Sequence, residues 1–561
     1  MFLSHPAGFF LRTLVSPYRK IRRTIFFVPF TILASMFSLL LGCAAPMSLR
    51  PDVKIPDRSA VIFFVDGLNN ESVDRLASAD RLPTIKRQFI DRGIRFTQAY
   101  GCLPSDTYPN SVSLLTGFVP GRHGVVGNLW FDRSMPTHAD YTKALTYRAV
   151  NHHVQAPTIY ELVRPLRSVS MQCATARGAS ADYHGGILEG LQWIGGNFSA
   201  IDTFSSRAVA RAIHVANHWR EWPALQMYYF PAVDKYGHEF GPHTPEYERA
   251  IEHVDGCISH VLDQFARVGV TDNTLFLLVS DHAQMRTTIR RQFDPTLELA
   301  HHFGDRLAIS YPLSGTPQER YRALRDTEIL VIPFRRRLEL HVRGKNGWHV
   351  PASHKEIACV ADEVLDVLLN SSTSESDWPD YIDMLVAREG NDRADFENPR
   401  LRIWTNAGEF VVDEKQADHD WFGKDRYPPG TLGELRALMQ HRRAGDIQIF
   451  AAPGCALLKG EPGGHGGISR TERHIPIFFS AKGLAPGQVH QSARLVDVMP
   501  TIMEWLGCRE RIPTGLDGQS LMPQLLHFRD DTAKLKIADE YHLYDARTTP
   551  ISQSARQSAR R

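Results

Sequence analysis

An α/β fold with a mostly parallel central sheet, plus a smaller inserted α+β subdomain, is what this sequence predicts. Short apolar runs recur with polar residues at their C-terminal ends, helically spaced segments lie between them, and one long interval breaks the rhythm. The first run, Ala60–Val65, is apolar throughout, which suits a strand covered on both faces. Asp66-Gly67 follows at its C-terminal end, the edge where open α/β sheets hold ligands. Leu225–Phe230 repeats the pattern ahead of Asp234, and Thr274–Ser280 runs straight into Asp281-His282. Ile475–Phe479 is a further apolar strand. Tyr247–Ala266 places Ile251, Val254, Ile258, Val261, Leu262 and Phe265 on one helical face, a packing stripe rather than a cofactor box. Alternation of this kind builds a parallel sheet flanked by helices.

The chain has 561 residues, too many for one ordinary core, and 43% hydrophobic with 22% charged residues is a globular composition. The expected organisation is a leader over 1–42, a linker over 43–58, core segments over 59–282 and 444–528, and the inserted subdomain over 283–443. A C-terminal extension ending in a disordered, Ser/Gln/Arg-rich tail covers 529–561. The insert is marked by charge, Trp, Pro and Asn, and by hairpin-like runs at Arg337–Val342 and Leu401–Val412; the chain is expected back in the core near Asp446.

Arg19, Lys20, Arg22 and Arg23 precede an apolar stretch, Ile25–Leu41, which ends Leu40-Leu41-Gly42-Cys43. That ending resembles a bacterial lipobox, so export and lipid anchoring through Cys43 to the cell envelope are expected; a signal anchor is the alternative. Losing residues 1–42 removes five basic side chains and takes the formal charge from +2 to −3, which does not suit binding to a nucleic-acid duplex. No CxxC spacing occurs, so a Cys-held structural zinc is not expected. Export permits disulfides among the other six cysteines, whose pairing the sequence leaves open.

Chemistry concentrates in a few places. Asp106-Thr107-Tyr108-Pro109-Asn110 offers a hydroxyl nucleophile, while Asp66, Asp234, His238, Asp281, His282 and His465 offer six N/O ligands. A hydroxyl with six such ligands is the donor set of a two-metal phosphoryl-transfer centre. Asp234 and His238 share a face if their segment is helical. Adjacent Asp281 and His282 can share one ion only if the strand has ended before them. Glycines on both sides of His465 let its imidazole approach a crowded ion. Singly, each is ordinary: Asp66 could cap a helix, Thr107 could be a turn residue, and Asn110 and Asn128 could be loop residues. His152-His153 and His301-His302 are assigned no role.

Taken in order, Asp66-Gly67, Thr107-Tyr108-Pro109-Asn110, Thr116-Gly117, His123-Gly124, Asn128, Asp234-x-x-Gly237-His238-x-x-Gly241-Pro242, Ser280-Asp281-His282 and Gly464-His465-Gly466 resemble the signature of the nucleotide pyrophosphatase/phosphodiesterase family, within the alkaline phosphatase superfamily. The segments around Asp497–Ile502 and Leu516–Leu521 resemble the end of that superfamily's core. The resemblance implies an alkaline phosphatase-like core and two Zn2+ or other divalent ions. Thr107 would be the nucleophile, and Asp66, Asp281 and His282 would hold one ion with it. Asp234, His238 and His465 would hold the other, and Asn128 would donate to a nonbridging phosphate oxygen. The family commonly has Lys where this chain has Asp106, and often Gly-Met where it has Ala283-Gln284; an acid beside an anionic substrate requires Asp106 to face away.

The implied activity is hydrolysis of phosphodiester or pyrophosphate bonds in a small substrate through a covalent phosphothreonine. A phosphomonoesterase is the alternative, favoured less because no Arg placed to clamp a terminal phosphate is identifiable. Cys102-Leu103-Pro104-Ser105 resembles a sulfatase motif, but Asp106 replaces its Arg, and the superfamily's spacing to Thr116 selects Thr107. A catalytically silent envelope-binding protein would be expected to have lost a ligand or the nucleophile, and none is lost. Nucleotide, choline and phosphoglycerol esters all stay open. Trp130, Phe131, Tyr228 and Tyr229 could stack on a base or belong to the core.

Overall fold

The computed structural model describes residues 48–287, 295–309, 316–325, 327–370, 378–389, 400–413, 421, 423, 425–458 and 460–528. The leader with Cys43 and the C-terminal tail lie outside the described residues.

Eight strands form the main sheet: β1 (Ser59–Val65), β2 (Ile94–Phe96), β3 (Ser168–Met171), β4 (Ala181–Tyr183), β5 (Leu225–Phe230), β6 (Thr274–Val279), β7 (Ile477–Ser480) and β8 (Gly487–Val489). Their order across the sheet is β8-β2-β7-β6-β1-β5-β3-β4. The block β6-β1-β5-β3-β4 is parallel, whereas β7 runs antiparallel to β6 and β2. The sheet is therefore mostly parallel, as the apolar runs predict. β1 is buried along its whole length because β5 and β6 pair with both its edges and helices cover its faces. β7 begins at Ile477 rather than Ile475, since Pro476 has no N–H to give the ladder.

Four helices bear on the site. In α1 (Thr107–Thr116) residues 109–116 are buried. Between β4 and β5 lies α2 (Gly186–Gly195); α3 (Ala232–Phe240) follows β5, and α4 (Pro245–Arg267) leads back towards β6. α4 covers the predicted segment and starts two residues early, where Thr244 caps it by accepting the Tyr247 N–H (3.4 Å) and Pro245 fills the first turn. Tyr247 carries this helix to the site, because its hydroxyl donates to Gly67 O (2.9 Å) and accepts the Asn69 N–H (3.1 Å).

The interrupting interval forms a second, seven-stranded sheet. Its order is Leu307–Ile309, Ile329–Pro333, Arg337–Val342, Ile447–Ala451, Ile382–Glu389, Arg400–Thr405 and Gly408–Val412. Only its first pairing is parallel. The expected return to the core near Asp446 is corrected here: Ile447–Ala451 is an interior strand of the second sheet, paired with Arg337–Val342 and Ile382–Glu389. Ile447 and Ile449 pack with Leu338, Leu340 and Leu385 in that sheet's own core, so apolar packing draws one more strand into the insert. The chain rejoins the main sheet only at β7. Buried ion pairs tie the two sheets' surroundings together, with Arg336 on Glu472 (3.0 Å) and Arg473 on Glu434, whose carboxylate also accepts the Leu103 N–H (3.0 Å).

Candidate metal centre

The ends of β1, β5 and β6 deliver three acids to one place. β6 stops at Val279, so Asp281 and His282 lie beyond the strand and are not forced to opposite faces. His282 Nε2 lies 3.2 Å from Asp281 Oδ2 and 3.4 Å from Asp66 Oδ1, and Thr107 Oγ1 is 3.2 Å from the same nitrogen. Asp281 Oδ1 accepts the Gly67 N–H (3.1 Å), and Asp66 Oδ2 accepts a hydrogen bond from the Tyr229 hydroxyl. The remaining oxygens, Asp66 Oδ1 and Asp281 Oδ2, are buried without hydrogen-bond partners. Burial, with Asp281 and Asp234 nearby, raises Asp66 well above the usual carboxylate range, and burial lifts Asp281 to about 6. Orphaned acid oxygens converging with an imidazole fit a divalent cation, which would supply the missing countercharge.

A second group adjoins the first. His238 Nε2 lies 3.4 Å from Asp234 Oδ1 and 3.0 Å from His465 Nε2, and His465 Nε2 is 3.5 Å from the same carboxylate oxygen. The i,i+4 pair shares one face of α3, as its spacing predicts. Lys235, His238 and His465 overcome the cost of burial and hold Asp234 well below the usual carboxylate range. Asp234 in turn pushes His238 up to about 9 against burial. His282 also faces this group: its ring stacks on His465 with centroids 3.5 Å apart, and Asp234, His282 and His465 offer ligand atoms within 4.8 Å of one another. Gly463 makes the close approach feasible, because a Cβ there would meet Gly237 O at 2.0 Å. Gly67 does the same between the two groups, since its Cβ would fall 2.8 Å from Asp234 Cα.

Thr107 opens α1, half-buried and facing His282. Asn110 locks the preceding loop through Cys102 N (2.6 Å), Pro104 O (2.9 Å) and Asp106 O (2.9 Å). Asn128 Oδ1 accepts the Tyr108 N–H (3.0 Å), which directs the other half of the amide, a donor, away from that bond. Asp106 turns one oxygen to a countercharge, while its Oδ1 lies 3.9 Å from His465 Nδ1. Its Oδ2 pairs with Arg337 Nη2 (3.1 Å), a fully buried guanidinium from the second sheet that also holds Glu339 (2.8 Å) and Gln448 (2.9 Å). An acid is thereby tolerated beside the nucleophile because the insert brings its countercharge. Arg337→Met is expected to destabilise the protein by about 3 kcal/mol, the cost of stranding a buried charge. It should also lower kcat more than it changes KM, with partial rescue by Lys; thermal melts and steady-state kinetics check this.

Sequence reasoning missed several partners of these groups. Gln284 Nε2 donates to Asp234 Oδ1 (2.6 Å), Glu461 Oε2 lies 3.1 Å from His238 Nδ1, and Lys235 Nζ reaches Asp234 Oδ2 (2.9 Å). Gln284 and Lys235 adjoin motif residues, which was the only signal available; Glu461 had none. Trp130, Phe131 and Tyr228 are core residues, whereas Tyr229 lines a pocket of about 270 Å3 that opens from Thr107. Tyr108, Tyr141, Tyr147 and Trp193 line it too, with Leu115 and Met227. Cys102 is fully buried and its thiol is pushed up to about 12 by burial, which removes support for a sulfatase-type centre. The six described cysteines are all free.

A family model described as type I phosphodiesterase / nucleotide pyrophosphatase matches residues 60–467. An uncharacterized pyrophosphatase/phosphodiesterase of Schizosaccharomyces pombe is 25% identical over 238 residues, 42% of this chain and 46% of its own, so the chain spans less than half of that relative. Human ectonucleotide pyrophosphatase/phosphodiesterase family member 5 is 21% identical over 382 residues, 65% of this chain and 71% of its own. The solved murine member 5 aligns with a TM-score of 0.56 at 14% identity, covering 84% of this chain and 100% of that one. An inactive threonine-to-alanine form of it, in complex with AMP, aligns at 0.55 and 13% identity over the same shares.

Proposed function

This chain belongs to the type I phosphodiesterase / nucleotide pyrophosphatase family, and on that footing we propose that it hydrolyses phosphodiester or pyrophosphate bonds through a covalent phosphothreonine on Thr107. The observation that carries the reading is convergence: Asp66, Asp234, His238, Asp281, His282 and His465 come from separate parts of the sequence and gather beside one threonine hydroxyl. Asp66, Asp281 and His282 would hold one zinc ion and Asp234, His238 and His465 a second. When bound, such ions lower the pKa of a hydroxyl and neutralise charge on the phosphate and the departing oxygen.

Thr107 Oγ1 attacks phosphorus, its proton is lost to solvent, and the bond to the leaving oxygen breaks. Asn128 donates its amide N–H to a nonbridging oxygen, held in that orientation by the Tyr108 N–H. The phosphoryl group on Thr107 keeps the substrate's other ester substituent; water then cleaves the bond between phosphorus and Thr107 Oγ1, releasing a phosphomonoester and restoring the hydroxyl. Arg337 is shared among Asp106, Glu339 and Gln448, which supports a diester over a monoester because it is not available to clamp a terminal phosphate. The AMP complex of the murine relative supports a nucleotide-type ester as one substrate. Export and lipid anchoring through Cys43 are proposed from the basic, apolar and Cys pattern of the first 43 residues.

Zinc-loaded protein tested on p-nitrophenyl thymidine phosphate, p-nitrophenyl phosphorylcholine and p-nitrophenyl phosphate should turn over at least one diester ten times faster or more than the monoester. Turnover confined to the monoester would place the protein among phosphatases.

A further inference from the structure

The two histidines of the second group are held differently at their outer nitrogens. His465 Nδ1 donates to Ser105 O (2.8 Å), a backbone acceptor, which fixes the proton on Nδ1 and turns the Nε2 lone pair inward. His238 Nδ1 is buried with no backbone acceptor among the described residues; the oxygen that reaches it is Glu461 Oε2, at 3.1 Å but imperfectly aligned. With both Nδ1 atoms protonated, the Nε2 lone pairs face each other 3.0 Å apart, an arrangement that a shared cation satisfies. Glu461 is not needed to hold its own loop, because Gly463 and Gly464 pair antiparallel with Arg286 and Met285, and the Thr287 N–H donates to Pro462 O (2.8 Å). Its side chain is 56% exposed and is approached from the second sheet. Arg335, between Ile329–Pro333 and Arg337–Val342, lays its stem across Gly464, where a Cβ would fall 2.6 Å from Arg335 Cδ. Its Nη1 would stand 3.3 Å from a Cβ on Gly460, next to Glu461. Arg335 Nε and Nη2 are buried without hydrogen-bond partners, and Glu461 supplies the charge that opposes the downward pull of burial on this guanidinium. The first group has no such attachment, for Asp66 and Asp281 are held by Tyr229 of β5 and by Gly67 just beyond β1.

We propose that Glu461, steered by Arg335, is a positioning residue for His238, so that the inserted subdomain sets how tightly the second cation is held and leaves the first alone. The proposal rests on the two-ion reading above and deepens it. A carboxylate on Nδ1–H fixes the tautomer and ring plane that aim Nε2 at an ion, and losing such a partner weakens binding by about 10- to 100-fold. Because His465 is fixed by backbone and His238 by an exposed side chain, His238 is the ligand whose orientation a surface substitution can change. Neither buried Arg335 nitrogen bonds to a ligand, so its influence passes through Glu461.

In the test, zinc-loaded full-length protein is equilibrated in buffers of graded free zinc and bound zinc per chain is measured. Crystals from the same buffers show by anomalous scattering which group has emptied. Wild type should hold two ions. Glu461→Ala should release the ion among Asp234, His238 and His465 at a free zinc concentration about tenfold higher or more, while the ion among Asp66, Asp281 and His282 shifts by less than about twofold. Glu461→Gln, which keeps an acceptor oxygen, should recover most of the loss. Arg335→Gln should weaken the same ion by about threefold, and adding it to Glu461→Ala should change nothing further, since the two act in series. Excess zinc should restore turnover in Glu461→Ala, which a distorted fold would not allow. Two ions in wild type with an unchanged release profile in Glu461→Ala, or equal weakening of both ions, would overturn the proposal and leave the two-ion reading standing. A wild type that never holds more than one ion would sink that reading, and the proposal with it.

Discussion

Thr107→Ala should reduce turnover of the preferred p-nitrophenyl diester by about three orders of magnitude or more while the protein keeps its fold and its metal. The effect is large because the surroundings hold no substitute. Ser105 Oγ donates to Gly467 O (2.9 Å) and accepts the Gly466 N–H (3.0 Å), and Ser111 Oγ is bonded to Tyr108 O (3.0 Å) and Thr175 Oγ1 (3.1 Å). Neither is free to turn towards a phosphorus placed over Thr107. Loss of the side chain leaves α1 anchored, since Asn110 and the buried residues 109–116 hold it without help from the hydroxyl. Thr107→Ser keeps a nucleophile and should retain a measurable fraction of activity. Acid quenching of the wild-type enzyme during turnover of p-nitrophenyl thymidine phosphate, followed by mass spectrometry, should find the thymidine monophosphoryl group left after loss of p-nitrophenol on the peptide carrying Thr107. Undiminished activity in Thr107→Ala would eliminate the covalent route.

How much of this could be read from the sequence depended on whether a feature was local. β1, β5 and β6 were legible because strands buried on both faces are largely apolar, broken here only by Ser59, Gln226 and Thr274, and the acids just past their ends stood out against that background. The Asp234–His238 pair was legible from one helical turn. The extent of the insert was not. Ile447–Ala451 is as apolar as any core strand, and its sheet is chosen by partners at 337–342 and 382–389, which local pattern does not reveal. Arg337 was hidden for the same reason: an arginine in a strand normally reads as a solvated face, yet this one lies beneath the nucleophile loop, 231 residues from Asp106. The double orientation of His282, towards Thr107 on one side and His465 on the other, is likewise a product of tertiary packing.

Stripping the metal should cost this protein stability as well as activity, and more at pH 8 than at pH 5. Asp66 and Asp281 have raised pKa values in the metal-free fold, so in that state they contribute stability below the unfolded carboxylate pKa and lose it as pH rises through their folded values, about 6 for Asp281. His238, pushed up to about 9, behaves alike, contributing below the unfolded imidazole pKa and losing its contribution towards pH 9. At pH 5 Asp281 and His238 carry protons that a cation must displace, and Asp281, titrating at about 6, has shed its proton by pH 8, so metal binds more tightly as pH rises. Burial holds His282 well below the usual imidazole range, which favours the neutral ring a cation needs and works in the same direction. Because a ligand stabilises the fold in proportion to the logarithm of its concentration over Kd, the drop in Tm on adding a strong chelator should be larger at pH 8 than at pH 5. Asp281→Asn keeps the shape but removes the charge; it should lose close to one equivalent of bound metal and lower kcat/KM by about two orders of magnitude or more. The same substitution should raise the melting temperature of the metal-free protein at pH 8, because it relieves the crowding of Asp66, Asp234 and Asp281 that the cation otherwise relieves. A metal-free Asp281→Asn protein that melts below metal-free wild type at pH 8 would mean that these acids are held together by something other than a bound cation.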